Sequence, residues 1–408
     1  MVMSLKLTTT LVFVLLVVVL DTAGFGLIFP VLPQLLKNLV HADTSTAARY
    51  GGWLSFAYAA MQFVFAPLLG NLSDRYGRRP VLLVSLLGFS VDCLFLAFSG
   101  HILWIFIGRI LAGISGASYS VAAATVADIS TEENRTRNFG LINAAFGLGF
   151  IVGPAIGGVL AQFGTSFPFV VAAILSFLNF SLGLLFFKES LKTQHRRRFS
   201  WQQANPLAAM KSINKVVLLR MLLLSIVFVT LANHSMETVW AYFTIEKFHW
   251  NQQMIGYSLA FIGGLSVLVQ AWLLGLLSKR VKDHQLAIIG LCLTISGFIL
   301  LAFAQSQWLL FVALFIFILG SLQGTALQSI AAASVPENEQ GALQGILGAI
   351  MGLTTMVGPL TFSFVFSYTT AQKTGFYFPG AAFVLAAILT VGSLLLLFFS
   401  FGKRKKQI

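Results

Sequence analysis

The sequence predicts an all-α polytopic membrane protein of twelve transmembrane helices, built as two six-helix bundles related by a repeat. Three observations carry that expectation. The first is composition: 57% of the 408 residues are hydrophobic and only 10% are charged, with a mean hydropathy of +0.87, where a soluble domain carries about 25% charged residues. The second is spacing, since twelve apolar runs in this length leave about 34 residues each, roughly one bilayer-crossing helix of ~20 residues plus a loop. The third is an internal repeat at an offset of 205 residues. A soluble globular protein, a disordered chain and a collagen-like repeat are all excluded by these figures.

Taken in order, the apolar runs fall at 9–36, 52–72, 80–99, 102–127, 138–163 and 167–187, and then at 217–244, 253–278, 285–304, 307–335, 341–368 and 375–401. The first has no small-residue cleavage pattern behind it and eleven more runs follow, so it is expected to be a retained helix. A polar, basic interval separates the two sets. The predicted organisation is an N-terminal six-helix bundle over 1–187, a cytoplasmic linker over 188–216 containing Arg196, Arg197 and Arg198, and a C-terminal bundle over 217–408.

The net charge of +13, from 26 Lys and Arg against 13 Asp and Glu, sits in the gaps. Assigning gaps alternately to the two sides puts 20 of the 26 basic residues on the side shared by both termini and only Lys37, Arg49, Lys247 and Lys373 on the other, with Arg109 and Arg220 inside predicted helices. The bias predicts cytoplasmic termini. No basic face of globular size exists, so nucleic acid is not an expected partner. Cys93 and Cys292 lie in separate apolar runs and suggest neither a disulfide nor a metal site. No cofactor is expected.

At the 205-residue offset, Gly51, Leu54, Phe56, Val64, Ala66, Leu68, Leu69, Gly70, Leu72, Ser73 and Arg75 fall on identical residues between Gly256 and Arg280, and Val152-Gly153-Pro154 falls on Val357-Gly358-Pro359. The offset spans six helices, an even number, so both halves insert with the same orientation, related by an axis along the membrane normal. Such a duplication allows two bundles to rock and expose a site first to one side and then to the other.

Two glycine-bearing segments carry mechanical expectations. Between helices 2 and 3 stands Gly70-Asn71-Leu72-Ser73-Asp74-Arg75-Tyr76-Gly77-Arg78-Arg79-Pro80. Gly70 is expected to allow close helix approach, Asp74 to meet a helix N-terminus or an arginine, and Gly77 to permit a tight turn, with Arg75 and Arg78 completing a cytoplasmic latch. In helix 5, Gly140, Gly149, Gly153-Pro154 and Gly157-Gly158 predict close packing and a proline-weakened helix at a gate.

Ionisable residues inside spans are costly and seldom kept without use. Asp21 in helix 1, Asp92 in helix 3, Arg109 in helix 4 and Glu237 in helix 7 are candidates for proton coupling, while Asp128 is expected at the membrane interface. A switchable pair between Asp21 and Arg109 is one arrangement, a fixed structural pair another; for Asp92 structure and proton relay stand equal. Gln62, Asn143, Trp240, Tyr242, Phe243, Gln270 and Gln328 are candidate substrate contacts, amides and aromatics that suit a flat amphipathic compound. His234 and His249 read as incidental. No phosphate-binding loop, catalytic triad or metal-spaced cluster occurs, so an enzyme is not expected.

From about residue 11 to 399 the chain resembles the tetracycline/proton antiporters of the major facilitator superfamily. The residues that carry the resemblance are Leu20-Asp21, Gly26-Leu27-Ile28, Pro30-Val31-Leu32-Pro33, Ala66-Pro67, Ser73-Asp74-Arg75, Gly77 to Leu82, Thr238-Val239-Trp240, Gln270-Ala271 and Gln340 to Gly345. The 70–80 loop resembles the superfamily's signature loop, and the helix 5 glycines resemble a motif of its proton-coupled antiporters. The resemblance implies the major facilitator fold, membrane carboxylates at Asp21 and Asp92, and a gating loop at Asp74 and Arg78. It further implies proton-driven export of a drug, a tetracycline-like antibiotic or a metabolite such as a siderophore across the inner membrane, by a chain expected to be monomeric. A proton-linked importer or uniporter, and a ligand-sensing relative, are the alternatives. Two positions depart from the family: its helix 9 carboxylate and helix 8 histidine are Thr294 and Ser266 here, while helix 7 carries Glu237.

Overall fold

The computed structural model describes residues 9–197, 217–336, 339–372 and 375–404. Lys6, Lys373, Lys405, Lys406 and residues 198–216 of the expected linker therefore lie outside the described residues. Twelve helices among the described residues are long and apolar enough to cross a membrane: α1 (Thr9–Ile28), α2 (Thr44–Tyr76), α3 (Arg78–Phe98), α4 (Ile102–Ile129), α5 (Arg135–Phe163), α6 (Phe167–Phe186), α7 (Leu219–Phe248), α8 (Gln252–Leu277), α9 (Asp283–Phe303), α10 (Gln307–Ala332), α11 (Gln340–Thr370) and α12 (Ala381–Ser400). The protein is an all-helical, multi-pass membrane protein.

Three boundaries differ from the apolar runs by six residues or more, each for a local reason. α1 stops at Ile28 because Pro30 lacks an N–H and clashes with the preceding turn; the chain bends through Phe29–Val31 and resumes as a short helix, Leu32–Val40. α2 starts at Thr44 rather than near residue 52 because Asp43 caps it, its carboxylate accepting from Thr46 N at 2.9 Å and from Ser45 Oγ at 3.2 Å. α12 starts six residues later than the apolar run, after a turn in which Gly375 takes φ +66.

The Asp43 cap gives a pH-dependent prediction. Partial burial, which alone would raise its pKa, is outweighed by the hydrogen bonds from Thr46 and Ser45, so the carboxyl is held below the usual carboxylate range. A group depressed in the folded state contributes stability above its unfolded value, about pH 4, and loses it as pH falls further. Asp43→Ala is expected to cost about 1 kcal/mol at neutral pH, a penalty that shrinks below about pH 4; thermal unfolding in detergent at both pH values checks this.

Contacts group the helices into two compact units. One contains the described parts of Met1–Val40, Ala60–Asn205 and Asn251–Ala260, and the other those of His41–Ala59, Pro206–Trp250 and Phe261–Ile408. Within the first, α1 packs along α5 and α6, and α3 packs on α4 and α6. Its core holds Leu11, Val14, Val17, Leu82, Leu86, Val121 and Ile142. Within the second, α7 packs along α11 and α12 and α9 along α10 and α12, around Leu222, Leu286, Leu291, Ile318, Leu327 and Ile346. The same helix pairings thus recur at the same places in each half. Large apolar side chains such as Phe163, Leu185 and Trp308 are left exposed, as expected of surface that faces lipid acyl chains rather than water.

The repeat also sets where helices are interrupted. α4 breaks at Gly116–Ala117 and α10 at Ser321, 205 residues apart, each with a tightened turn: Gly116 N donates to Gly113 O at 3.3 Å, and Ser321 N to Ile318 O at 3.0 Å. Pro154 inside α5 and Pro359 inside α11 share the same offset, and a π-helical turn over Val269–Leu273 in α8 covers the position equivalent to Pro67 in α2. Breaks of this kind free backbone groups at membrane depth, where something polar must serve them.

Candidate functional site

In the N-terminal half, α3 and α4 are joined by an ion pair deep in the bundle. Arg109 Nε donates to Asp92 Oδ1 at 2.9 Å and Arg109 Nη2 to Asp92 Oδ2, with Asp92 0% and Arg109 6% exposed. Gly108 makes the approach possible, since a Cβ there would stand 2.9 Å from Asp92 Oδ1. The fork-on-carboxylate geometry is the strong form of the interaction. This corrects the expectation of a pair between Asp21 and Arg109: α3 supplies the carboxylate that Arg109 holds.

Asp21 faces the break in α4 instead. Ser118 Oγ donates to Asp21 Oδ2 at 2.5 Å, and Val17, Val18, Thr22 and Tyr119 complete a small cavity. A carboxylate whose hydrogen bond comes from a neutral hydroxyl can exchange its proton without breaking an ion pair. Gln62, expected to contact substrate, serves the break itself: its Nε2 donates to Gly116 O at 3.1 Å. Asn143 is exposed and accepts from Tyr119 Oη at 2.9 Å.

Gly149, Gly153, Gly157 and Gly158 of α5 do what close packing requires. A Cβ on Gly149 would lie 2.7 Å from Val19 O, one on Gly157 would lie 2.6 Å from Leu27 O, and Gly153 meets the backbone of Ala23 and Gly26. Gly158 faces Gln252 O at 2.6 Å by the same measure, and Pro154 Cδ lies 2.8 Å from the Cβ position of Gly26. Gly140 has open space around it. Gly70 also has nothing within 4 Å of its Cβ position, which corrects the expectation of close helix approach there.

The 70–80 loop forms a network centred on Arg78. Its Nη1 donates to Asp74 Oδ1 at 2.6 Å and its Nε to Asp128 Oδ2 at 3.0 Å, so the guanidinium ties the end of α2 to the end of α4. Glu189, just past α6, accepts from the backbone N–H of Arg78 at 2.8 Å and of Arg79 at 3.1 Å, neutralising the positive end of α3. Glu189 was not singled out in the sequence, which offers no signal for a cap 111 residues away. Gly77 takes φ +111 and its Cβ position is occupied by the Glu189 carboxylate. Gly77→Ala is therefore expected to cost about 1–3 kcal/mol from backbone strain and to displace Glu189; loss of initial transport rate with normal membrane insertion is the expected readout. Arg75 is exposed and stacks over the Tyr76 ring at 5.0 Å.

In the C-terminal half the structure draws together residues that the sequence left apart. His234 Nδ1 lies 3.0 Å from Glu237 Oε2, and Thr355 Oγ1 of α11 lies 3.4 Å from His234 Nε2. The imidazole fits because Gly358 has no side chain: its Cβ position is 2.7 Å from His234 Cβ. His234, read as incidental, is thus a partner of Glu237, and the i, i+3 spacing was the available signal. Trp240 and Phe243 are 1% and 0% exposed, packed among Phe248, Trp250 and Phe383, so they form core rather than cavity wall. Tyr242 is likewise buried, against Gly51. Gln270 is exposed on the π turn of α8, and Gln328 lines a cavity beside the α10 break.

Twelve spans, repeated breaks and titratable groups held at membrane depth define a polytopic secondary transporter. The chain matches the Major Facilitator Superfamily over residues 14–288 and 238–407 and belongs to that family. It is 39% identical to the class C tetracycline resistance protein of Escherichia coli over 94% of this chain and 96% of the relative. It is 37% identical to the class H tetracycline resistance protein of Pasteurella multocida over 97% of each. Among solved structures, the human organic anion transporter MFSD10 superposes with a TM-score of 0.69 at 22% identity, over 95% of this chain and 98% of that one.

Proposed function

We propose that this protein exports a small amphipathic organic compound, with tetracycline the first candidate, in exchange for protons. Asp21 carries the reading: a carboxylate at membrane depth, bonded to the neutral hydroxyl of Ser118 at a helix break, is free to load and unload a proton. The similarity to tetracycline resistance proteins across nearly the whole chain supports the substrate class. The halves 1–187 and 217–408 act as the two moving bodies, with the Arg78 network and the packing of the α5 glycines on α1 holding the N-terminal body together as it moves. The protein works as a monomer in the inner membrane with both termini in the cytoplasm, and it catalyses no chemical reaction.

Arg109 and Asp92 fix α3 against α4. Asn143, Gln270 and Gln328 are the amides left to meet substrate. In the second half Glu237, with His234, takes over a share of the proton binding that the family position at Thr294 lacks. Glu237→Gln is expected to reduce pH-driven export several-fold, and full activity in that variant contradicts the assignment. An uncoupler separates export from import: added to cells loaded with tetracycline, it raises cell content if the protein is an exporter and lowers it if the protein is a proton-linked importer.

A further inference from the structure

The breaks in α4 and α10 are repeat-related, and their polar surroundings differ. At the first, Asp21 faces the break and accepts from Ser118. Shifted by 205 residues, Asp21 falls on Ile226 and Ser118 on Gln323. Ile226 brings no polar atom to the break. A cavity of about 150 Å³ lies there, with Thr294, Ser321 and Gln323 in its wall, Asn233 and Gln328 beside them, and Phe317 on its apolar side. Thr294 and Gln323 are each 1% exposed, and Thr294 Oγ1, Ser321 Oγ and Gln323 Oε1 are all buried without a hydrogen-bond partner. Buried polar atoms are seldom left unserved, because each orphan forfeits its hydration.

We propose that this cavity is a subsite for an uncharged polar portion of the transported molecule, an edge bearing hydroxyl, ketone or carboxamide groups. The inference rests on the export reading above and names which part of the substrate the C-terminal half holds. Hydroxyls and amides both donate and accept, so the wall matches a neutral edge that does the same. No ionisable side chain lines the cavity, so a charged group would enter without a counter-charge and lose its hydration uncompensated. The volume suits one substituted ring, since a water occupies about 30 Å³, and the apolar wall at Phe317 accepts the ring face. A site built to hydrogen-bond a hydroxyl discriminates strongly against an analogue that lacks it. Thr294 and Gln323 thereby become specificity-determining residues.

The test is equilibrium binding to the purified full-length protein of tetracycline and of analogues that each lack one ring hydroxyl or the carboxamide. Thr294→Val and Gln323→Leu keep the shape and remove the polar atoms. Each is expected to weaken tetracycline binding about tenfold, and for each variant one analogue should bind as well as it does to the unaltered protein. Affinities unchanged in both variants, or lowered equally for every analogue, overturn the subsite. If the unaltered protein binds no compound of the series, the export reading itself fails with respect to tetracyclines and the subsite falls with it. Protection of buried Cys93 from a thiol probe, in a Cys292→Ser background, confirms that the variants are folded.

Discussion

Asp21→Asn is expected to abolish the coupling of export to the proton gradient while leaving the fold intact. Asparagine keeps an oxygen that can accept from Ser118, so the α4 break stays served, but it has no proton to give or take. One proton moving through 100 mV is worth about 2.3 kcal/mol, a concentration ratio of about 50. The steady-state substrate gradient in vesicles should therefore fall by about that factor for each proton the variant no longer carries. Downhill exchange of substrate should persist, because the steps that move substrate across do not need the carboxylate. Loss of exchange together with coupling would place Asp21 in substrate binding instead.

The second large effect lies at Asp92. Replacing it by leucine leaves the Arg109 guanidinium buried without its carboxylate, and removing one member of a buried pair costs about 3–5 kcal/mol. The Asp92→Leu protein should unfold at markedly lower temperature, detected through exposure of the neighbouring Cys93, which is 0% exposed in the fold. Asp92→Leu combined with Arg109→Met should recover most of the loss, because well-packed apolar residues can replace an ion pair at little cost. Failure of the double variant to recover would mean that Arg109 stabilises the bundle through groups other than Asp92.

How far the sequence could be read depends on the range of the interaction. Span number and the two-fold repeat were legible because hydropathy and the 205-residue offset are properties of the chain itself. The packing of Gly149, Gly153 and Gly157 was legible too, since small residues four apart in an apolar helix have few other uses. The partner of Arg109 was not: Asp21 and Asp92 are both carboxylates in the same half, and only the side-by-side packing of α3 on α4 selects between them. Gly70 matched its motif in type, yet nothing packs against it. Trp240 and Phe243 were candidates for a cavity wall because helix phase cannot be fixed from an all-apolar span, and the structure turns them into the bundle core. Glu189 and the cavity at Thr294 depend on contacts between segments far apart in sequence, so no local pattern announces them.

The most direct test of the central claim is substrate-dependent proton movement in inside-out vesicles holding this protein. The account predicts that adding tetracycline to energised vesicles releases protons from the lumen, that an uncoupler abolishes the signal, and that Asp21→Asn vesicles give none. Tetracycline uptake that proceeds at the same rate and to the same gradient with Asn at position 21 would contradict it.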